Sequence, residues 1–139
     1  MSRHRVLAIS RERDQLRRIV QALTDTGAEV DAILSTELIG SGQIGHRYVF
    51  IDIGNARQGE DLEFVLKNSS EQTHVAIITD DAPLGEFTNL LSDVRVNHII
   101  SREELEHGVY VTAQKLLSGD IFGIERYLPE GTDIHYVRL

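Results

Sequence analysis

The sequence predicts an α/β domain: a five-stranded parallel sheet with helices on both faces. Three observations carry this. Short apolar runs rich in β-formers alternate with amphipathic helical stripes, giving five strand–helix units between residues 5 and 118. The connections between them are short, as parallel crossovers through helices require. The apolar runs are continuous rather than alternating, which is the pattern of strands buried on both sides. A chain of 139 residues fits one such domain.

The elements follow in order. Val6 to Ile9 is too short for a helix and reads as the first strand. From Arg11 the period changes: Leu16, Ile19, Val20 and Leu23 share one helical face, with Ser10 placed to cap the helix and Gly27 to end it. Ala28 to Leu34 is the second strand. Residues 35–45 read as a short or irregular helix, because Gly40, Gly42 and Gly45 weaken it. Tyr48 to Ile53 is the clearest buried strand, and Asp52 is its only charge. After a polar stretch from Gly54 to Gly59, Leu62, Val65 and Leu66 form a helical stripe. Val75 to Ile78 is the fourth strand. Pro83 opens the next helix, whose buried face is Phe87, Leu90, Leu91 and Val94. Val96 to Ile100 is the fifth strand. Ser101 and Glu104 form a capping box for a helix carrying Leu105, Val109, Thr112 and Leu116 on one side, ending near Gly119.

Composition narrows the chemistry. The 22 acidic and 14 basic residues give a net charge of −8, which argues against nucleic acid held by bulk electrostatics. The absence of cysteine excludes disulfides, thiolate metal sites and cysteine nucleophiles, and fits a cytoplasmic protein. No apolar run approaches the ~20 residues of a membrane helix, and no signal-peptide core follows Met1. The six histidines lack metal-ligand spacing, so no metal site is expected. Gly40 to Gly45 matches G-x-G-x-x-G, but a strand follows it, so no helix N-terminus is available for a pyrophosphate. Arg11, Arg13, Arg17 and Arg18 make the one basic patch.

In an open parallel sheet, ligands bind beyond the C-terminal strand ends. Those ends carry Ser10 and Arg11, Asp52, Thr79 and Asp80, and Ser101 and Arg102. On these residues and the five-unit order, residues 5–118 resemble the receiver domain of bacterial two-component response regulators. The resemblance implies a flavodoxin-like (βα)5 three-layer sandwich with strand order 2-1-3-4-5. It places Asp52 at the family's phosphoacceptor and Thr79 at the Thr/Ser ending the fourth strand. The acidic pair that holds Mg²⁺ in that family is replaced by Ser10 and Arg11, the Lys that ends its fifth strand by Ser101 followed by Arg102, and the switch aromatic by His98. Mg²⁺ relieves the repulsion between a carboxylate and a phosphoryl group and takes carboxylate ligands, which Ser10 and Arg11 cannot supply. Arg11 is expected to place a fixed positive charge near Asp52, while Glu12, on the first helical turn, is expected to point elsewhere. Plainer roles stand beside these: Asp52 as a carboxylate held by Arg11 or loop N–H groups, Thr79 as a β-branched strand end, His98 as a packed strand residue.

The expected function is a non-enzymatic signalling module, an atypical receiver-like domain that binds protein partners without Mg²⁺-dependent phosphorylation and without a cofactor. Two alternatives are a phosphoacceptor with an unusual pocket around Asp52, and a small nucleotide- or ligand-binding domain. Residues 1–119 form the receiver-like domain and residues 120–139 an extension. That extension holds Phe122 and Tyr127 among other apolar residues, and is expected to pack on a partner. The stretch from Lys115 to Leu128 resembles the junction into histidine-kinase-type ATPase domains, so the partner is either a second copy of the chain or such a domain, fused or separate. Receiver-like pairing through the last helix places Leu105 and Val109 in that interface.

Overall fold

The computed structural model describes residues 5–36, 44–53, 56–79 and 92–118. It contains strands β1 (Arg5–Ile9), β2 (Glu29–Ile33), β3 (Tyr48–Asp52), β4 (His74–Thr79) and β5 (Val96–Ser101). Among the described residues there are three α-helices, α1 (Arg13–Thr24), α2 (Ala56–Asn68) and α3 (Leu105–Ser118), with a 3₁₀ turn over Arg102–Glu104 leading into α3. All strand pairings are parallel and the order is β2-β1-β3-β4-β5.

Burial follows position in the sheet. Every residue of β3 is buried, and so are all of β4 except His74 and all of β1 except Arg5. The edge strands β2 and β5 are only partly buried. Two cores lie on opposite faces. One joins Val6, Ala8, Tyr48, Phe50, Ala76, Ile78 and Ile100 to Leu16, Ile19 and Leu23 of α1 and to Leu105, Val109 and Ala113 of α3. The other joins Leu7, Ile9, Val49, Ile51, Val75 and Ile77 to Leu62, Val65 and Leu66 of α2. The period of two along each strand sends alternate side chains to the two cores.

Several expectations are corrected. Ser10 does not cap α1: Glu12 occupies the N-cap position, with no side-chain cap bond. The Ser10 hydroxyl instead accepts from the Glu12 N–H at 3.2 Å and turns its proton to Asp52, so it shapes the loop before the helix. Gly27 does end α1, at φ +89°, a left-handed conformation that suits a residue without Cβ. Helix α2 begins at Ala56, inside the stretch read as polar loop. Ser101 accepts from the N–H of Glu103, and the 3₁₀ turn delays the α-helix to Leu105. Val94, expected on a buried helix face, is 85% exposed. It sits in a turn fixed by Asp93, which accepts from the Arg95 N–H at 2.9 Å and pairs with its guanidinium at 2.7 Å. Pro83, Phe87, Leu90 and Leu91 lie outside the described residues, as do Gly40 to Gln43, Asp80, Phe122 and Tyr127. Ile44 and Gly45 are described; Ile44 bridges to Ser69, and β3 follows directly rather than a helix.

Leu105 and Val109 are fully buried within the chain's own core, so they face α1 and the sheet and cannot line a partner interface. Helix α3 seats this closely because Gly108 has no side chain: a Cβ there would lie 2.5 Å from Cγ2 of Ile100. The side chains of α1 and α3 are also tied across the surface, where Arg18 donates to Glu106 from Nε at 2.6 Å and Nη2 at 2.8 Å. No described helix is long and apolar enough to cross a membrane.

Two outcomes are expected. Gly108→Ala should force α3 off β5 and destabilise the protein by about 1–3 kcal/mol in urea unfolding, the range for overpacked cores. The paired guanidinium of Arg18 holds the Glu106 carboxyl down at about 2, from an ordinary 4.5. A depressed carboxyl stabilises the fold above its unfolded value and ceases to do so as pH falls through its folded value. The stability difference between the wild type and Glu106→Gln should therefore be constant from pH 7 to about 5, shrink below 4.5 and vanish near pH 2.

Candidate functional site

Parallel register brings the polar strand ends together. Ile9 of β1 pairs with Ile51 of β3, so Ser10 stands one step on, beside Asp52. Asp52 is fully buried. Its Oδ2 accepts from the Ser10 hydroxyl at 2.9 Å and lies 3.4 Å from Nη2 of Arg102. That same Nη2 donates to Oε2 of Glu12. One guanidinium nitrogen thus stands between two carboxylates, one from the end of β3 and one from the loop before α1. The Arg102 side chain is 15% exposed and that of Glu12 48%, so the bridge lies on the solvent side of the buried Asp52.

Arg11 does not take the role expected of it. Its Nε donates to Oδ2 of Asp61 at 2.8 Å and its Nη2 to Oδ1 at 3.1 Å. Asp61, fully buried on α2, also accepts from the N–H and the hydroxyl of Thr36, at 3.0 and 2.7 Å. Each Asp61 oxygen is therefore occupied, and the charge is balanced by a mostly buried guanidinium. Sequence reasoning missed Asp61. Its signal was present: Asp61 lies four residues before Val65 and next to Leu62, on the buried side of the α2 stripe, where a charged residue must have a partner.

The remaining expected residues are placed as follows. Thr79 is 4% exposed at the end of β4, one step past the rung that pairs Asp52 with Ile78. Ser101 is exposed and serves the turn into α3; its neighbour Arg102 is the residue that reaches Asp52. His98 is partly buried in β5 opposite Ala76, on the α1/α3 side of the sheet by its alternation with Ile100. The basic patch divides: Arg11 and Arg18 are engaged with Asp61 and Glu106, while Arg13 and Arg17 are exposed. Glu12, expected to point away, faces the site through Arg102. A histidine–carboxylate contact lies away from this site, where Nε2 of His46, in the loop before β3, meets Asp31 of β2 at 2.7 Å; with Arg5, it holds the Asp31 carboxyl below its usual range.

The residues around Asp52 do not fit a divalent cation. Mg²⁺ wants carboxylate and water oxygens about 2.1 Å away in octahedral geometry. Here Ser10 contributes a neutral hydroxyl already donating to Asp52, and a guanidinium nitrogen lies against the same carboxylate oxygen. Among the described residues, no group of three or more acidic or histidine side chains is arranged to hold a metal.

The architecture is a flavodoxin-like α/β domain with the fold of response-regulator receivers, five parallel strands in the order 2-1-3-4-5 under helices on both faces. Among solved structures, the receiver domain protein (CheY-like) from Methanospirillum hungatei JF-1 superposes with a TM-score of 0.68 at 18% identity, covering 85% of this chain and 96% of that one. Response regulator DrrB, a Thermotoga maritima OmpR/PhoB homolog, gives 0.67 at 11% identity over 86% of this chain, which spans 54% of the length of DrrB. NtrX from Brucella abortus, solved in complex with ADP, gives 0.67 at 17% identity and covers 99% of this chain but 33% of its own. No family model matches the sequence, and no curated protein does.

Removing the carboxylate at Asp61 takes away the buried ion pair with Arg11 and both hydrogen bonds from Thr36. Asp61→Ala should therefore destabilise the protein by about 3 kcal/mol or more in denaturant unfolding, whereas Arg13→Ala, on the exposed face of α1, should change stability by less than about 0.5 kcal/mol.

Proposed function

We propose that this chain is a receiver-like signalling module, not an enzyme, which acts by contact with a protein partner and does not cycle through Mg²⁺-dependent phosphorylation of Asp52. One observation carries the reading: Asp52 stands at the C-terminal end of the central strand of a receiver fold, but its carboxylate is committed to Ser10 and Arg102. Phosphoryl transfer to a carboxylate needs an oxygen free to attack and a divalent cation to offset the converging negative charge. Ser10 already donates to Oδ2 of that carboxylate, and the Arg102 guanidinium stands beside the same oxygen, where a divalent cation would act. Arg11, turned to Asp61, offers the pocket no acidic ligand.

Residues 1–119 are the signalling domain in this reading, and residues 120–139, with Phe122 and Tyr127, are the segment through which it meets its partner. Leu105 and Val109 have no part in that contact. The partner is a second copy or a following kinase-type ATPase or effector domain. DrrB and NtrX support the second form, since this chain matches only 54% and 33% of their lengths. The nucleotide-binding alternative needs a phosphate cradle, and the glycine motif is followed by β3 rather than by a helix N-terminus that could supply one.

Incubation with acetyl phosphate and Mg²⁺, read by intact mass, tests the reading. The mass of the wild type should not change. A gain of one phosphoryl group that disappears in Asp52→Asn would overturn it in favour of a phosphoacceptor with an unusual pocket.

A further inference from the structure

We infer that Arg102 is a tethered cation: its guanidinium fills the position a divalent ion would take between Glu12 and Asp52, and its presence is what keeps such an ion out. The inference rests on the reading of Asp52 given above and names the residue that enforces it. The geometry is specific. A single nitrogen, Nη2, lies against Oδ2 of the fully buried Asp52 at 3.4 Å and donates to Oε2 of Glu12. Both carboxylate oxygens are therefore gathered around one point, from two segments 40 residues apart (52 − 12). Two like charges converge in this way only around a positive charge, and the described site supplies it from the first residue after β5.

The arrangement also gives the Glu12 carboxylate a partner. The first strand offers Ser10 and Arg11 in place of acidic residues, yet Glu12 restores one carboxylate to the site, one position late. A carboxylate there with no cation would repel Asp52. Arg102 removes that repulsion and needs no ion from solution, since a cation on the same chain has a high effective concentration. The guanidinium of Arg11, by contrast, is paired with Asp61. Ser10 adds a neutral donor to the same Asp52 oxygen, so the oxygen is screened on both sides.

The inference predicts that a latent divalent-ion site appears once the guanidinium is removed. Arg102→Gln keeps a polar side chain of moderate length and Arg102→Ala removes it. Each is compared with the wild type for melting temperature with and without MgCl₂, and for Mn²⁺ binding by titration calorimetry. The wild type should show no response to either ion. The variants should melt lower, and about 20 mM MgCl₂ should raise their melting temperature by about 3 °C or more, with measurable Mn²⁺ binding. Adding Glu12→Gln to Arg102→Gln should abolish both gains. A folded Arg102→Gln protein that ignores both ions overturns the inference, as does a wild type that responds as the variant does. If neither variant folds alone, Mg²⁺ should restore the folded circular dichroism spectrum, and failure to do so counts against the inference. These outcomes are separable from the failure of the signalling reading, which would show as phosphoryl transfer to the wild type.

Discussion

A carboxylate with no water around it must find its hydrogen-bond donors inside the fold, and two of them, Asp52 and Asp61, are fully buried here. The loops at the C-terminal end of the sheet are arranged by this need. Ser10 and Arg102 turn inward to Asp52, and Arg11 and Thr36 to Asp61. The loop after β1 supplies a donor to each carboxylate from adjacent residues, Ser10 and Arg11, which therefore diverge. The course of the chain between β1 and α1 is set by that divergence, and it leaves Glu12, rather than Ser10, as the residue from which the helix starts.

The consequence for chemistry is that the carboxylate ending the central strand is enclosed by side chains from two loops. The oxygen of Asp52 that receives the serine proton also faces a guanidinium, so its negative charge is spent within the protein.

How much of this was legible beforehand divides along a physical line. The strands were readable because burial on both faces demands continuous apolar runs, and Tyr48 to Asp52 could hardly be anything else. The helical stripes were readable for the same reason, since Leu16, Ile19 and Leu23 share a face by period alone. The position of Asp52 followed from the strand it ends. What could not be read was which guanidinium meets which carboxylate. Arg11 and Arg102 lie in different units of the chain, and each is long enough to reach several places. Only the packed loops decide that Arg11 meets Asp61 and that Arg102 spans Glu12 and Asp52. Asp61 itself was hidden by its polarity, because a search for apolar stripes passes over a charged residue lying within one. Val94 misled for the opposite reason: it is apolar, but the Asp93–Arg95 turn leaves it outside.

The link among Arg11, Thr36 and Asp61 also bears on how the protein assembles. Thr36 lies 25 residues from Asp61 and Arg11 lies 50. No single strand–helix unit contains two of the three residues, so nothing local rewards the contact while the chain is still open. The first three strands must be in register, and α2 must be docked on them, before any of these bonds can form. A contact that forms only after the folding barrier acts on the rate at which the finished domain comes apart, as a kinetic lock on the sheet's polar end and not a nucleus.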